Sequence, residues 1–312
     1  MNSRFFIHIT LLFAAVALLA CSSEDDMSAL GGQPLVLYAD MPMTRSTVDN
    51  QWSVGDEVAV KIGDEIKIYY IKDAETGELT TFGNSDPFRW SPDFDSVEVT
   101  AWSLGGFVEA EPLTGITIPK DQSPENVGYT RHDLLYAKGT LTPSNTHLTF
   151  YHQLARVIVQ LKFKTTVELD DISVNLGSDY DEEGNSIDIV PLTADFSAPT
   201  GNANYGTWNN FTNYPEYGGI TMFHDATAED GYDAAFSALL IPNDYSGTRF
   251  IGIDAISDMG LYYFIPSYGE ANLQSGRTYT YRITVYNDFL DVTVGTDDGG
   301  TNNSVTPWSP NN

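Results

Sequence analysis

The chain has 312 residues, and its 15 Lys and Arg stand against 43 Asp and Glu, for a formal net charge of −28. A surface this acidic repels phosphate backbones and carries no local basic stripe, so no nucleic-acid partner is expected. A single Cys excludes an internal disulfide framework and a Cys-based zinc site, and 42% hydrophobic with 12% aromatic residues excludes a disordered acidic chain. The length suits two domains of about 150 residues each.

Residues 1–20 read as an export signal. Arg4 supplies a positive start, and an apolar run from Phe5 to Ala20 follows, too short for a comfortable spanning helix. The run ends in Leu18-Leu19-Ala20-Cys21, which resembles a bacterial lipobox; in such signals the cysteine is acylated and becomes the mature N-terminus. An ordinary secretory peptide with an incidental cysteine is the alternative. Ser22-Ser23-Glu24-Asp25-Asp26 then forms a polar acidic tether, similar to export signals that send lipoproteins to the outer face of the cell. Cys21 thus implies a lipid anchor in the outer membrane. Residues 21–46 combine this tether with Leu35-Val36-Leu37-Tyr38-Ala39, which alternates as a strand does.

From there on the pattern is period two. Val58, Val60 and Ile62 alternate with Glu57, Ala59 and Lys61; Ile66, Ile68 and Tyr70 follow the turn Gly63-Asp64. Val97, Val99 and Ala101 form one face of the next strand, and Ala155, Val157, Val159, Leu161 and Phe163 the clearest one. Ile172-Val174-Leu176, Ile251-Ile253-Ala255, Tyr279-Tyr281-Ile283-Val285 and Leu290-Val292-Val294 complete the set. No segment holds a 3.6-residue apolar stripe of helical length. The prediction is an all-β protein built from sandwiches.

Charge suggests a division. No Lys or Arg occurs between Lys164 and Arg249, where 15 acidic residues fall. The mature chain up to 164 is −10 and the remainder −19. The expected organisation is therefore a first sandwich at 47–164 and a second at 165–312.

Catalytic signatures are missing. There is no Gly-x-Ser-x-Gly elbow, P-loop, Rossmann fingerprint or His-Glu-x-x-His, and among 43 acids no carboxylate pair stands out. The chain is expected to be no enzyme and to need no cofactor. His147 and His152, five apart on strand-like sequence, are expected to face opposite ways and to serve as packed or surface side chains. Asp179, Asp181 and Glu183, ahead of Gly184, imitate the opening of a calcium loop, but Val190 stands where a bidentate Glu belongs. An acidic hairpin loop is the favoured reading there, and a calcium site outside the EF-hand pattern is the alternative. Tyr205, Trp208, Phe211, Tyr214 and Tyr217 crowd a Gly- and Asn-rich stretch. They are either a stacking surface for glycans, with Tyr205, Trp208 and Tyr214 in that role, or the cap of a sandwich core.

Four motifs in order resemble the fimbrillin family. They are Trp52-Ser53-Val54-Gly55-Asp56-Glu57-Val58, Asp133-Leu134-Leu135-Tyr136-Ala137, Phe150-Tyr151-His152-Gln153-Leu154-Ala155-Arg156-Val157, and Leu273, Gly276, Tyr279 and Tyr281 at the family's spacing. Ala101-Trp102-Ser103-Leu104 departs from the family's Ala-Tyr-Tyr-Pro. Trp52 is expected to anchor a core, Gly55-Asp56 to turn the chain into the next strand, and His152 to be buried and hydrogen-bonded.

The resemblance implies two tandem transthyretin-like β-sandwiches, exported as an outer membrane lipoprotein precursor and ending at the cell surface or in a fimbria. It implies other fimbrial subunits as partners, and an Arg-specific protease that cuts after Arg45, before Ser46. The cut removes the first strand, and a neighbour's strand fills the groove. Arg45 in an uncut, permanently anchored lipoprotein that binds host or bacterial surface glycans or proteins is the alternative. Val305 and Trp308, beyond the spacer at 295–300, are either part of a donor strand or of the chain's own last strand; Pro307 lacks an amide donor and suits only an edge.

Overall fold

The computed structural model describes residues 32–307 except 42–50, 84, 92–94, 106–107, 109–112, 124–131, 165–171, 181–185, 215–218, 226, 256–260, 288 and 297–300. Among the described residues no α-helix forms, and the chain is built of strands. In chain order these begin with β1 (Tyr38–Asp40), β2 (Glu57–Ile62), β3 (Glu65–Asp73), β4 (Glu78–Thr81), β5 (Val97–Leu104) and β6 (Ile116–Thr117). β7 (Leu134–Leu141), β8 (His147–Thr149), β9 (Tyr151–His152), β10 (Ala155–Phe163), β11 (Ile172–Leu176) and β12 (Ser178–Tyr180) come next. Then follow β13 (Ser186–Asp188), β14 (Thr193–Ser197), β15 (Thr207–Thr212), β16 (Ile220–Thr221), β17 (Phe223–Asp225) and β18 (Ala234–Leu240). The last are β19 (Ile251–Ala255), β20 (Leu261–Phe264), β21 (Thr278–Val285), β22 (Phe289–Thr296) and β23 (Thr301–Pro307).

An eight-stranded sheet runs in the order β8-β1-β4-β3-β2-β5-β7-β9. Its β2–β3 hairpin closes through a two-residue loop, with Ile62 opposite Glu65 and Gly63 at φ +59, a backbone that favours glycine. The face bearing Val58, Val60, Tyr69, Ile71, Val99 and Ala101 buries a core with Trp52, Trp90, Leu148 and Phe150. A six-stranded sheet, β17-β18-β10-β21-β22-β23, and a four-stranded sheet, β16-β11-β19-β20, enclose the larger core. Strand β21 shows the expected alternation, with Tyr279, Tyr281, Ile283 and Val285 buried. β18 escapes the period-two reading because all seven residues are buried, so its sequence is apolar throughout except for Ser237.

The halves interlock more than the charge pattern suggests. β10 lies ahead of residue 164, the expected boundary, yet it pairs in parallel with β21 and antiparallel with β18. Residues 116–117 likewise pair with β14, in the three-stranded sheet β15-β14-β6. Further on, the Gln122 side chain is buried and does what a strand backbone would do. Its Nε2 donates to Leu239 O (2.9 Å), and its Oε1 accepts from Leu239 N–H (2.9 Å). A third core fills the outer face of the eight-stranded sheet: Ala59, Trp102, Leu104 and Tyr136 meet Leu113, Ile116 and Phe196. The charge break records composition; the core follows hydrogen bonding and apolar contact, which charge does not report.

Candidate functional site

The first core is completed by the segment at the head of the described chain. Leu35, Leu37 and Ala39 are 3%, 0% and 2% exposed, while Val36 between them is 46% exposed. That alternation seats β1 in a slot between β4 and β8, antiparallel to the first and parallel to the second.

Both edges of the slot are satisfied. On the β4 side Ala39 N–H donates to Gly77 O (2.8 Å) and Leu79 N–H to Leu37 O (2.9 Å). On the β8 side Tyr38 N–H donates to Thr146 O (3.1 Å) and Phe150 N–H to Asp40 O (2.8 Å). Upstream, Leu35 N–H donates to Phe88 O (2.7 Å), and Phe88 N–H is in turn held by Tyr69 Oη (2.8 Å). Burial is the main influence on the Tyr69 phenol and pushes it above its ordinary pKa.

Three residues hold the strand. Trp52 is buried, packs edge-on against Phe150 at 5.2 Å, and its Nε1 donates to Ala39 O (2.9 Å). His147 stacks on Tyr38 at 4.6 Å, and its Nδ1 lies 3.0 Å from the Asp40 carboxylate. Gly77, at φ +70, lets the backbones meet: a Cβ there would sit 2.3 Å from Ala39 O. Without β1, Gly77 O, Leu79 N–H, Thr146 O, Phe150 N–H and Phe88 O lose their partners and an apolar trough opens. Such a slot accepts a strand and little else.

The sequence-predicted positions fall as follows. Cys21, Arg45 and Ser46 lie outside the described residues; Met41, four residues before Arg45, is the last described before that gap. Val305 is in β23, opposite Asp291 of β22, on the edge of the six-stranded sheet, and Pro307 stands opposite Phe289; Trp308 lies outside the described residues. Asp179 is in the short hairpin β12–β13, and Asp181 and Glu183 lie outside the described residues. Among the described residues no three His, Cys, Asp or Glu gather as a metal would need.

The aromatic loop sits at the junction of the cores. Tyr205 meets Tyr151 edge-on at 5.8 Å and packs into the space left by Gly276, where a Cβ would lie 2.3 Å from its ring. Trp208 is half-buried, packs on Phe196 at 5.2 Å and donates from Nε1 to Gln153 O (2.9 Å); Tyr214 is half-buried too. Gln153 is the hub here and is fully buried. Its Oε1 accepts from Gly206 N–H (2.9 Å), and its Nε2 donates to Tyr151 O (2.9 Å) and Asn204 O (3.2 Å). Next to it, His152 pairs with the buried Asp133. Both residues lie in the third and second family-like motifs, so those motifs serve the junction. Nothing in the sequence singles out Gly77 or Gln153, whose importance comes from contacts across the fold.

A family model described as fimbrillin-like matches residues 44–308. The fold is similar to that of a putative cell adhesion protein from Bacteroides ovatus ATCC 8483, with a TM-score of 0.59 at 15% identity, covering 90% of this chain and 99% of that one. It is also similar to a putative cell adhesion protein from Bacteroides uniformis ATCC 8492, with a TM-score of 0.57 at 16% identity, covering 88% and 99% respectively. No curated protein matches the chain.

Proposed function

The chain belongs to the fimbrillin-like family, and we propose that it is a structural or adhesive subunit of a surface fimbria, assembling by strand exchange. The observation that carries this reading is β1, a three-residue strand that, with the buried Leu35 and Leu37 before it, fills a slot a few residues ahead of Arg45. The precursor is exported, anchored through Cys21 in the outer membrane, and held inert while β1 fills the slot. An Arg-specific protease then cuts after Arg45 and frees the segment carrying β1. The exposed trough and its unpaired backbone groups make a free slot costly in water, which drives capture of a neighbouring subunit's strand. β23 is the donor: among the described residues it pairs with β22 alone, at the edge of its own sheet, and follows a Gly-rich spacer. The division between the two sandwiches is placed near Gln153, ahead of β10.

The test uses the exported chain from residue 21 on, incubated with an Arg-specific protease. A cut after Arg45 followed by SDS-resistant oligomers is expected, with Arg45→Ala uncut and monomeric. Failure to cut at Arg45, or a cut product that stays monomeric, rejects the reading. Removing residues 301–312 tests the donor separately: cleavage persists and oligomers disappear.

A further inference from the structure

A second feature lies apart from the slot, on the outer face of the eight-stranded sheet. β4 is four residues long and its neighbour β3 is nine, so β4 stops at Thr81 opposite Tyr69 and leaves residues 65–68 of β3 without it. An open cleft of about 400 Å³ lies there. One wall is Lys67, Ile68 and Tyr70 of β3; the other is the turn with Thr81, Phe82, Ser85 and Asp86.

The cleft combines apolar surface with neutralised polar groups. Phe82 is 73% exposed, tilted against Tyr70 at 5.6 Å, and Ile66 and Ile68 are exposed beside them on β3. Packing within the chain does not require so exposed a ring. The charges nearby are consumed locally. Lys67 Nζ donates to Asp86 O (3.0 Å) and Pro87 O (3.3 Å), lies 3.4 Å from Glu65, and stands over the Phe88 ring. The Asp86 carboxylate takes Arg89 Nη2 at 2.8 Å, and that hydrogen bond holds it below the ordinary carboxylate range.

We propose that this cleft binds a neutral saccharide, with the sugar's C–H face on Phe82 and its hydroxyls on Ser85 and Asp86 beside it. The ligand must be neutral, because the cleft offers no uncompensated charge and the −28 chain repels anions. It must also be amphipathic on the scale of one ring, because the exposed Phe82 ring and Tyr70 share the cleft with the Ser85 hydroxyl and the Asp86 carboxylate. Thr81, Phe82, Ser85 and Asp86 wall the cleft on the side away from β3, which suits a compact ring better than an extended strand running through.

The experiment is a neutral oligosaccharide array probed with the full exported chain, followed by saturation-transfer NMR titration of the best-bound sugar. Phe82→Ala is expected to weaken binding about tenfold or more, as truncation of a central aromatic anchor does. Because Phe82 is exposed, thermal unfolding of that variant should match the parent. Raising salt should leave the affinity unchanged. A blank neutral array, binding restricted to sulfated or sialylated sugars, capture of peptides alone, or affinity unaltered by Phe82→Ala each overturns the proposal. The readout is independent of protease cleavage and oligomer formation, so it fails or succeeds separately from the assembly reading.

Discussion

Truncating one buried leucine of β1 should distinguish a seated strand from a passing segment. Leu37 is 0% exposed in the first core, and Leu37→Ala deletes its side chain from a site already closed by Trp52 and Phe150. Leucine-to-alanine changes in such sites cost about 2–5 kcal/mol, the spread depending on how far the cavity collapses. The neighbouring Val36 is 46% exposed, so Val36→Ala should cost no more than about 0.5 kcal/mol. The assay is a urea titration followed by tryptophan fluorescence, since Trp52 and Trp90 both lie in that core and report its opening. With a urea slope of about 2 kcal/mol/M, Leu37→Ala should lower the midpoint by about 1–2.5 M while Val36→Ala leaves it in place. Amide exchange at Tyr38 and Ala39 should accelerate in parallel, because their N–H groups face Thr146 O and Gly77 O. Equal midpoints for the two variants would refute the reasoning: β1 would then not be packed into the core.

Other outcomes follow from the same geometry. Gly77→Ala should destabilise the first core well beyond Gly55→Ala in the same titration. Both glycines have positive φ, worth about 1–2 kcal/mol against alanine, but only at Gly77 would the new Cβ meet backbone, 2.3 Å from Ala39 O. Comparable losses would show that β1 yields freely. In the second core, Tyr245 and Tyr281 are buried and donate to Ile241 O and Glu270 O, and burial pushes both phenols well above their ordinary 10.0. Their unfolded forms ionise near 10.0, so the folded state binds more protons above that value. Stability should therefore be intact below pH of about 10 and fall as pH rises beyond it. Tyrosinate absorbance against circular dichroism checks this: complete titration of all 18 tyrosines in a still-folded chain would contradict it.

Much of the fold was legible in the residues themselves. β2, β3, β5, β10, β11, β19, β21 and β22 all carry alternation, because each has one face on a core and the other on water, polar residues or a second layer. β18 did not, since burial on both faces erases the alternation that marks a strand. Trp52 was expected to anchor a core, but its indole N–H contact with Ala39 O joins positions 13 residues apart and depends on the slot. The aromatic cluster at 205–214 was open between a stacking surface and a core cap. The fold places Trp208 between cores and ties it to Gln153. Sequence spacing carries no sign of which ring faces inward.

By itself the sequence determined the strand-forming character of the chain, its acid-coated surface and the four motifs that place it among fimbrillin-like proteins. These are local properties: alternation, composition and short patterns are written within a few residues of each other. Only the tertiary structure decided which strands are neighbours. It set β10 beside β21 more than a hundred residues away, brought β6 to β14, and lodged Leu35 and Leu37 between β4 and β8. Sheet neighbours are chosen by hydrogen bonding and burial summed over the whole chain, and the charge break at residue 164 is blind to both.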